Sequence, residues 1–223
     1  MLPLFRRHFV LLLLALPGLL LVAAPQLDLA VAGLFYDPFD GFFLRPLAIV
    51  RFVYSSVWWI SAGVLVALLG FLLASWTTHR RREPVIRQRR TALYLLLVML
   101  LGPGLLVNGV FKDHWGRARP SQVVEFGGNK QFTRAAVPAD QCAKNCSFVS
   151  GHASVGFYFL ALAFVLPRRR ALWLTIGTVA GLGIGFVRIV QGGHFLSDVL
   201  FAGIVVYLTA WVLHALLFRE SRA

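Results

Sequence analysis

The sequence predicts an all-α integral membrane protein, built as a bundle of six transmembrane helices. Hydrophobic residues make up 58% of the 223 residues, and the mean hydropathy of +0.74 is far above that of a soluble domain. A helix needs about 20 mostly apolar residues to cross a bilayer. Runs that meet or approach this length lie near residues 8–24, 53–76, 91–111, 152–167, 171–187 and 198–218. We expect the whole chain, 1–223, to form one membrane domain.

The net charge of +13 is typical of nucleic-acid-binding proteins, but the positions of the arginines give it another explanation. With six spans, all the arginine clusters fall on one side of the membrane, and the positive-inside rule places that side in the cytoplasm. We therefore expect a bacterial inner-membrane protein with both termini in the cytoplasm and no nucleic-acid partner. The sequence indicates no protein partner. The clusters are Arg6-Arg7, Arg80 to Arg82 with Arg87, Arg89 and Arg90, Arg168 to Arg170, and Arg219 with Arg222.

The first apolar run follows a short basic segment and so has the pattern of a signal peptide. Arg6, Arg7 and His8 precede a run that extends from Phe9 to Ala24, which matches the basic and apolar regions of such a peptide. The run continues through 19–22, and this favours a retained first span over a cleaved peptide. Cleavage would leave the orientation of the remaining spans unchanged.

The segments on the opposite side of the membrane hold the most informative residues. Three stretches there place ionisable groups at the ends of apolar runs: 112–120, 150–152 and 188–198. Ionisable groups at such positions are costly and usually have a function.

His194 and Asp198 are four residues apart, and this spacing places both on one face of a helix. A carboxylate beside an imidazole fixes the tautomer of the ring and stabilises its positive form. The other ring nitrogen is then free to attack phosphorus, and a covalent phosphohistidine divides one hard hydrolysis into two easier steps. The structural alternative is that Asp198 caps the start of the last helix.

Ser150, Gly151 and His152 directly precede an apolar run, so we expect them at a helix N-terminus. Backbone N–H groups at such an end bind anions, and a glycine permits close approach. His152 would there protonate the departing oxygen as a general acid. The alternative for Ser150 is a plain helix cap, which is compatible with a phosphate contact.

Lys112, Arg119 and Arg188 supply positive charge. A phosphoryl transition state carries negative charge on its equatorial oxygens, and fixed cations in a poorly solvated site stabilise it. An arginine can also bind two oxygens at once. Lys112 and Arg119 are separated by about two helical turns, so one helix face is expected to carry both, with Pro120 ending that helix. Snorkelling towards the membrane interface is the alternative for these cations.

The three stretches together resemble the signature of the type 2 phosphatidic acid phosphatase (PAP2) superfamily. They read K-x6-R-P, S-G-H and R-x5-H-x3-D, in that order, and the resemblance spans about residues 90–215. It implies that His194 is the nucleophile, Asp198 orients it and His152 is the general acid. It also implies a periplasmic active site that needs no metal or other cofactor. The implied phosphate contacts are Lys112, Arg119, Ser150, Gly151 and Arg188.

The resemblance predicts a phosphoric monoester hydrolase that acts on a phosphorylated membrane lipid. The stretches H-W-G-R-A-R-P, E-F-G-G and N-C-S-F-V-S-G-H-A-S are similar to the branch of bacterial lipid A phosphatases. Some 1-phosphatases of that branch carry Glu at the position of His152, so the sequence leaves the 4′-phosphatase open. Phosphatidylglycerophosphate and undecaprenyl pyrophosphate are the alternative substrates.

Two further classes of function use part of the same pattern. A lipid phosphotransferase would need the same residues and would pass the phosphoryl group to an alcohol instead of water. An anion-binding transporter or scaffold would need the cations, but not both histidines and the aspartate. The sequence therefore favours an enzyme and does not separate hydrolysis from transfer.

The loop between 120 and 150 holds the only two cysteines, Cys142 and Cys146. A periplasmic location permits disulfides, and this spacing can close a small loop. Two free thiols are the alternative, and a zinc site is disfavoured because the nearby histidines have roles in the motifs. Polar residues around this loop would contact a headgroup beyond its phosphate or remain solvated: His114, Arg117, Lys130, Arg134 and Lys144.

Overall fold

The computed structural model describes residues 2–77 and 83–218, and this part of the chain is predominantly helical. α1 comprises Leu2–Ala23 and α2 comprises Gln26–Gly33. A two-residue hairpin follows, in which β1 (Tyr36–Asp37) pairs antiparallel with β2 (Gly41–Phe42). The arginines at 80–82, 219 and 222, and the side chains of Arg6 and Arg7, lie outside the described part.

Long apolar helices form the bundle. α3 covers Ala48–Thr77, and α4 covers Glu83–Met99 and continues as a π-helix, Leu100–Phe111, into α5, Lys112–His114. α8 covers Arg170–Val190 and α9 covers Leu196–Leu217. Four stretches are long and apolar enough to cross a membrane: Ala48–Trp76, Glu83–His114, Pro167–Val190 and Leu196–Leu217.

The first and fourth predicted spans differ from these four. The chain bends by 104° between His8–Ala23 and Gln26–Gly33, where Pro25 interrupts the helix. The fourth is short: α6 (Gly151–Phe157), a 3₁₀ turn (Tyr158–Ala161) and α7 (Leu162–Val165) follow one another, and a second 3₁₀ turn, Pro167–Arg169, ends the segment. Within the described residues, four helices can span a membrane, or five if the bent pair counts as one span.

Close packing holds α6 and α9 against α8. The four-residue spacing of Gly177, Gly181 and Gly185 predicts close helix packing, and the structure confirms it. A Cβ atom on Gly181 would lie 2.3 Å from the Phe157 ring, and one on Gly185 would lie 2.2 Å from Val199. α3, in contrast, lies at the edge of the bundle: only 6% of its most apolar 18-residue stretch is buried.

A cluster of buried apolar residues packs the hairpin against the loops at one end of the bundle. Its buried members come from α2, β2, the loop after α5 and the start of α9. This cluster fixes the loops that carry the predicted site residues. Its members are Ala32, Phe42, Ala118, Val123, Phe126 and Phe195.

Candidate active site

The three motif segments meet at the end of the bundle where the hairpin lies. Backbone hydrogen bonds connect them: Ser150 N–H donates to the Asp198 carbonyl at 3.0 Å, and Ser121 N–H donates to the Gly192 carbonyl at 3.0 Å. The Cys146 N–H donates to the Lys112 carbonyl at 2.9 Å. Main-chain contacts therefore fix the relative positions of all three segments.

His194 lies in the short connection between α8 and α9, and its ring is fully buried. Its Nδ1 lies 2.7 Å from the carbonyl oxygen of Ser147; a carbonyl only accepts, so Nδ1 carries the proton. Nε2 is buried without a hydrogen-bond partner among the described residues. Burial, together with the charges of Lys112 and Arg188, holds the pKa of the ring well below its usual range, although Asp198 opposes this. The ring is therefore neutral at pH 7, with a free lone pair on Nε2.

Asp198 lies in the first turn of α9 and is also fully buried. It accepts hydrogen bonds from Arg117 Nη1 and Ser147 Oγ, both at 2.5 Å, and from the Phe195 N–H at 2.8 Å. The last of these caps α9, as the structural alternative predicted. Asp198 Oδ2 also lies 3.7 Å from Nδ1 of His194, which is too far for a hydrogen bond but close enough to stabilise a positive ring.

The prediction that a helix places His194 and Asp198 on one face is wrong. α9 begins at Leu196, so His194 precedes the helix. The two side chains approach each other because the chain enters the helix at Phe195 in an extended conformation. The four-residue spacing therefore predicted correctly that the two side chains lie close together, although the geometric reason is different.

The prediction that one helix carries both Lys112 and Arg119 is also wrong. α5 ends at His114, and Gly116 turns the chain with a φ of +69°. A Cβ atom on this glycine would lie 1.6 Å from a backbone oxygen, so no other residue fits there. The two cations nevertheless meet at Asn145, whose Oδ1 accepts from Lys112 Nζ at 3.0 Å and from Arg119 Nη2 at 3.0 Å.

Arg188 lies in the last turn of α8 and contacts Tyr54 of α3. Its guanidinium carbon lies 4.7 Å from the centroid of the Tyr54 ring, and it donates a hydrogen bond to Gln191. A Cβ atom on Gly193 would lie 2.3 Å from Arg188 Nη2, so the glycine leaves room for this cation. His152 stacks on the Tyr54 ring, with centroids 4.5 Å apart. Tyr54 therefore contacts both Arg188 and His152.

Ser150 and Gly151 begin α6, as the sequence predicted. Ser150 caps the helix by accepting from the Ala153 N–H at 3.4 Å. A Cβ atom on Gly151 would lie 3.2 Å from Cε of Lys112. The helix start therefore lies against the first cation, where a bound phosphate could contact both.

Arg117 is fully buried, so its expected contact with a headgroup is wrong. Its Nη2 donates to Asp28 at 2.8 Å, its Nη1 donates to Asp198 and Ser197, and its Nε donates to the Thr133 carbonyl at 2.8 Å. A buried guanidinium with these partners cannot reach a substrate. It connects α2, the loop between 120 and 150, and α9.

The other residues predicted to contact a headgroup are exposed, and none of them lines the open cleft of the site. They are His114, Lys130, Arg134 and Lys144. Nδ1 of His114 lies 3.0 Å from the Val110 carbonyl. In the loop between 120 and 150, Cys142 and Cys146 form a disulfide. The exposed cations of this loop are Lys130, Arg134 and Lys144.

An open cleft of about 1370 Å³ reaches two of the cations predicted to bind phosphate, Arg119 and Arg188. Besides these two arginines, its wall includes the hairpin, the first turns of α3, the segment just after Arg119 and the connection between α8 and α9. Two arginines outside the motifs, Arg45 and Arg51, also line it. The cleft is larger than the 300–1,000 Å³ of ordinary small-molecule pockets.

Sequence reasoning missed several residues that shape this site. Asp28 carried a usable signal, because it is a lone carboxylate in an apolar segment, and such groups are usually paired or functional. Tyr54, Asn145 and Ser147 carry no such signal, since their roles depend on contacts between distant segments.

Comparison with known proteins identifies the family. The family model described as PAP2 superfamily matches residues 91–222. The chain belongs to the PAP2 superfamily. A relative named lipid A 4′-phosphatase, from Francisella tularensis subsp. novicida, is 40% identical over 209 residues, which cover 88% of this chain and 89% of the relative. Two relatives of the same name, from Rhizobium etli and Rhizobium leguminosarum, are 45% identical over 104 residues, covering 45% of this chain and 40% and 44% of theirs. No solved structure is significantly similar.

This PAP2 chain is a membrane lipid phosphatase, a hydrolase of phosphoric monoesters. The family, the relatives and the apolar helices together establish this class. They also make it a bacterial membrane protein.

Proposed function

We propose that this phosphatase removes the 4′-phosphate of lipid A-type substrates through a phosphohistidine intermediate. The names of its relatives support the substrate. One observation carries the mechanism: Nε2 of His194 is proton-free, buried and unpartnered among the described residues. A buried nitrogen without a partner is costly, and the nearby charges of Lys112 and Arg188, which would attract a phosphate, suit this nitrogen to act as a nucleophile.

The first step forms the phosphoenzyme. The lone pair on Nε2 of His194 attacks phosphorus, a nitrogen–phosphorus bond forms, and the bond between phosphorus and the sugar oxygen breaks. The negative charge of the bound phosphate favours protonation of His152, and the protonated ring gives its proton to that oxygen, so the sugar leaves as an alcohol. Lys112, Arg119 and Arg188 neutralise the phosphoryl oxygens during the transfer.

The ring of His194 becomes positively charged when phosphorylated, and its surroundings favour this state. The Ser147 carbonyl accepts the Nδ1 proton at 2.7 Å, and Asp198 Oδ2 lies 3.7 Å away. Asp198 therefore acts on the ring electrostatically, while the carbonyl fixes its orientation.

The second step releases phosphate. Water attacks phosphorus, neutral His152 takes a proton from that water, and the nitrogen–phosphorus bond breaks with its electrons returning to His194. Inorganic phosphate leaves, and both histidines regain their starting states. The net reaction consumes one water and yields one alcohol and one phosphate.

We also propose six spans in one domain, with the active site in the periplasm and both termini in the cytoplasm of the inner membrane. Contacts at the far end of the bundle support this arrangement. Arg87 of α4 lines one cleft with Val165 and Leu166, and Arg90 lies 5.1 Å from the Phe218 ring after α9. The basic ends of several helices therefore share the side opposite the site, as the positive-inside rule requires.

Phosphate release by purified protein in detergent tests the function. We expect inorganic phosphate from lipid A that carries the 4′-phosphate and none from lipid A that carries only the 1-phosphate. His194→Ala should abolish release, while His114→Ala, an exposed histidine of the same region, is the matched control. Cleavage of phosphatidylglycerophosphate or undecaprenyl pyrophosphate alone would show that the lipid A assignment is wrong. Transfer to a second lipid without free phosphate would indicate a phosphotransferase.

A further inference from the structure

Two arginines outside the family motifs extend the positive wall of the cleft. Arg45 lies in the segment between β2 and α3, and Arg51 lies in the first turn of α3. Both line the cleft with Arg119 and Arg188, and Asp40 is the one carboxylate among its lining residues. Four arginines facing one carboxylate leave this cleft strongly positive.

The positions of these arginines suit a ligand that carries two anionic groups. Arg45 lies close enough to Arg188 for their charges to repel, and such repulsion is relieved when each of the two arginines binds an anionic group. Nε of Arg51 donates to the Pro46 carbonyl at 3.1 Å, which fixes the guanidinium. Within the described residues, no side chain forms an ion pair with Arg45 or Arg51, so their donors are available to a ligand.

We propose that Arg45 and Arg51 form a second anion subsite, which binds a second phosphate of the substrate while the reacting phosphate lies on Lys112, Arg119 and Arg188. This inference rests on the proposed function, because a lipid headgroup with two phosphorylated sugars carries the two separated anions that it needs. The size of the cleft, about 1370 Å³, is suited to a disaccharide rather than to phosphate alone.

The apolar surroundings of the subsite fit the lipid part of the same substrate. Phe52 lines the cleft and is 67% exposed, and Phe39 of the hairpin is 97% exposed. Exposed aromatic rings beside arginines suit the level where headgroups meet acyl chains. The loop cations Lys130, Arg134 and Lys144 do not line the cleft, so they do not provide this second contact.

Turnover of two matched lipids tests the subsite. The first lipid carries both phosphates, and the second carries only the reacting 4′-phosphate. Arg45→Ala and Arg51→Ala should each lower kcat/KM on the bisphosphorylated lipid by on the order of tenfold, the effect of losing one charged hydrogen bond in a solvated cleft. The loss on the monophosphorylated lipid should be several-fold smaller, because remote contacts help only substrates that reach them. Lys130→Ala is the control for an exposed cation outside the cleft.

A binding measurement separates failure of the subsite from failure of the proposed function. The soluble bisphosphorylated and monophosphorylated disaccharides would be titrated into His194→Ala protein, which cannot turn them over. We expect the bisphosphate to bind about tenfold or more tightly, and Arg45→Ala with Arg51→Ala to remove this preference. Equal affinity for the two sugars, or a preference that survives the double substitution, would overturn the subsite whatever lipid the unmodified protein cleaves.

Discussion

Replacement of Arg117 by methionine should destabilise the protein more than any change of an exposed loop cation. Arg117 and its partners Asp28 and Asp198 are all fully buried. Methionine removes the shared cation and leaves two buried carboxylates without it. Breaking a buried ion pair from one side costs about 3–5 kcal/mol, which is a large part of the ~5–15 kcal/mol that holds a typical domain folded.

Thermal unfolding of the purified protein in detergent measures this loss. Arg134→Met is the matched control, because Arg134 is exposed, and surface changes typically cost less than about 0.5 kcal/mol. The double variant Arg117→Met with Asp28→Leu should recover part of the stability, since it removes one of the stranded carboxylates and replaces it with an apolar group. The buried network does not stabilise the protein in this way if Arg117→Met unfolds at the same temperature as Arg134→Met, or if the loss in the double variant equals the sum of the two single losses.

Three further predictions concern chemistry and orientation. His152→Ala should lower kcat by about 10² to 10⁴-fold with a sugar leaving group and far less with a nitrophenolate, whose departure needs no proton; equal losses with both substrates would remove the general-acid role. The acid limb of kcat/KM should have its midpoint below about pH 6.5, the ordinary pKa of histidine. Burial lowers the pKa of His194, so activity falls only when the pH drops through that lowered value. A midpoint above about pH 6.5 argues against a buried neutral nucleophile. Reporter fusions at position 85 should be cytoplasmic and at position 140 periplasmic, and a periplasmic signal at 85 would reverse the proposed topology.

The sequence predicted the helical membrane class, and it identified the motif segments that carry Lys112, Arg119 and Arg188, because both depend on local information. Length, hydropathy and motif order are properties of the chain itself, and they identified segments that the structure brings together. The glycine spacing in α8 likewise predicted a contact that forms. In each of these cases, composition or spacing along the chain is enough to identify the residues.

The remaining features depend on contacts between distant segments, which no spacing encodes. The helix ends at His114, and the chain turns at Gly116, where a backbone oxygen fills the space of a side chain; neither could be deduced from a seven-residue interval. Arg117 looked like a loop cation until its partner Asp28, 89 positions away, was known. The fourth predicted span is interrupted by one 3₁₀ turn and followed by another, which hydropathy does not reveal.

The central claim is that Nε2 of His194 carries the phosphoryl group, and rapid quenching tests it most directly. The protein would be mixed with lipid labelled in the reacting phosphate, quenched in alkali within one turnover, and digested for peptide mapping. We predict a label that is stable in alkali, lost in acid and confined to the peptide containing His194, and absent from His194→Ala protein. A label on another residue, or full turnover by His194→Ala without any labelled protein, would contradict the account.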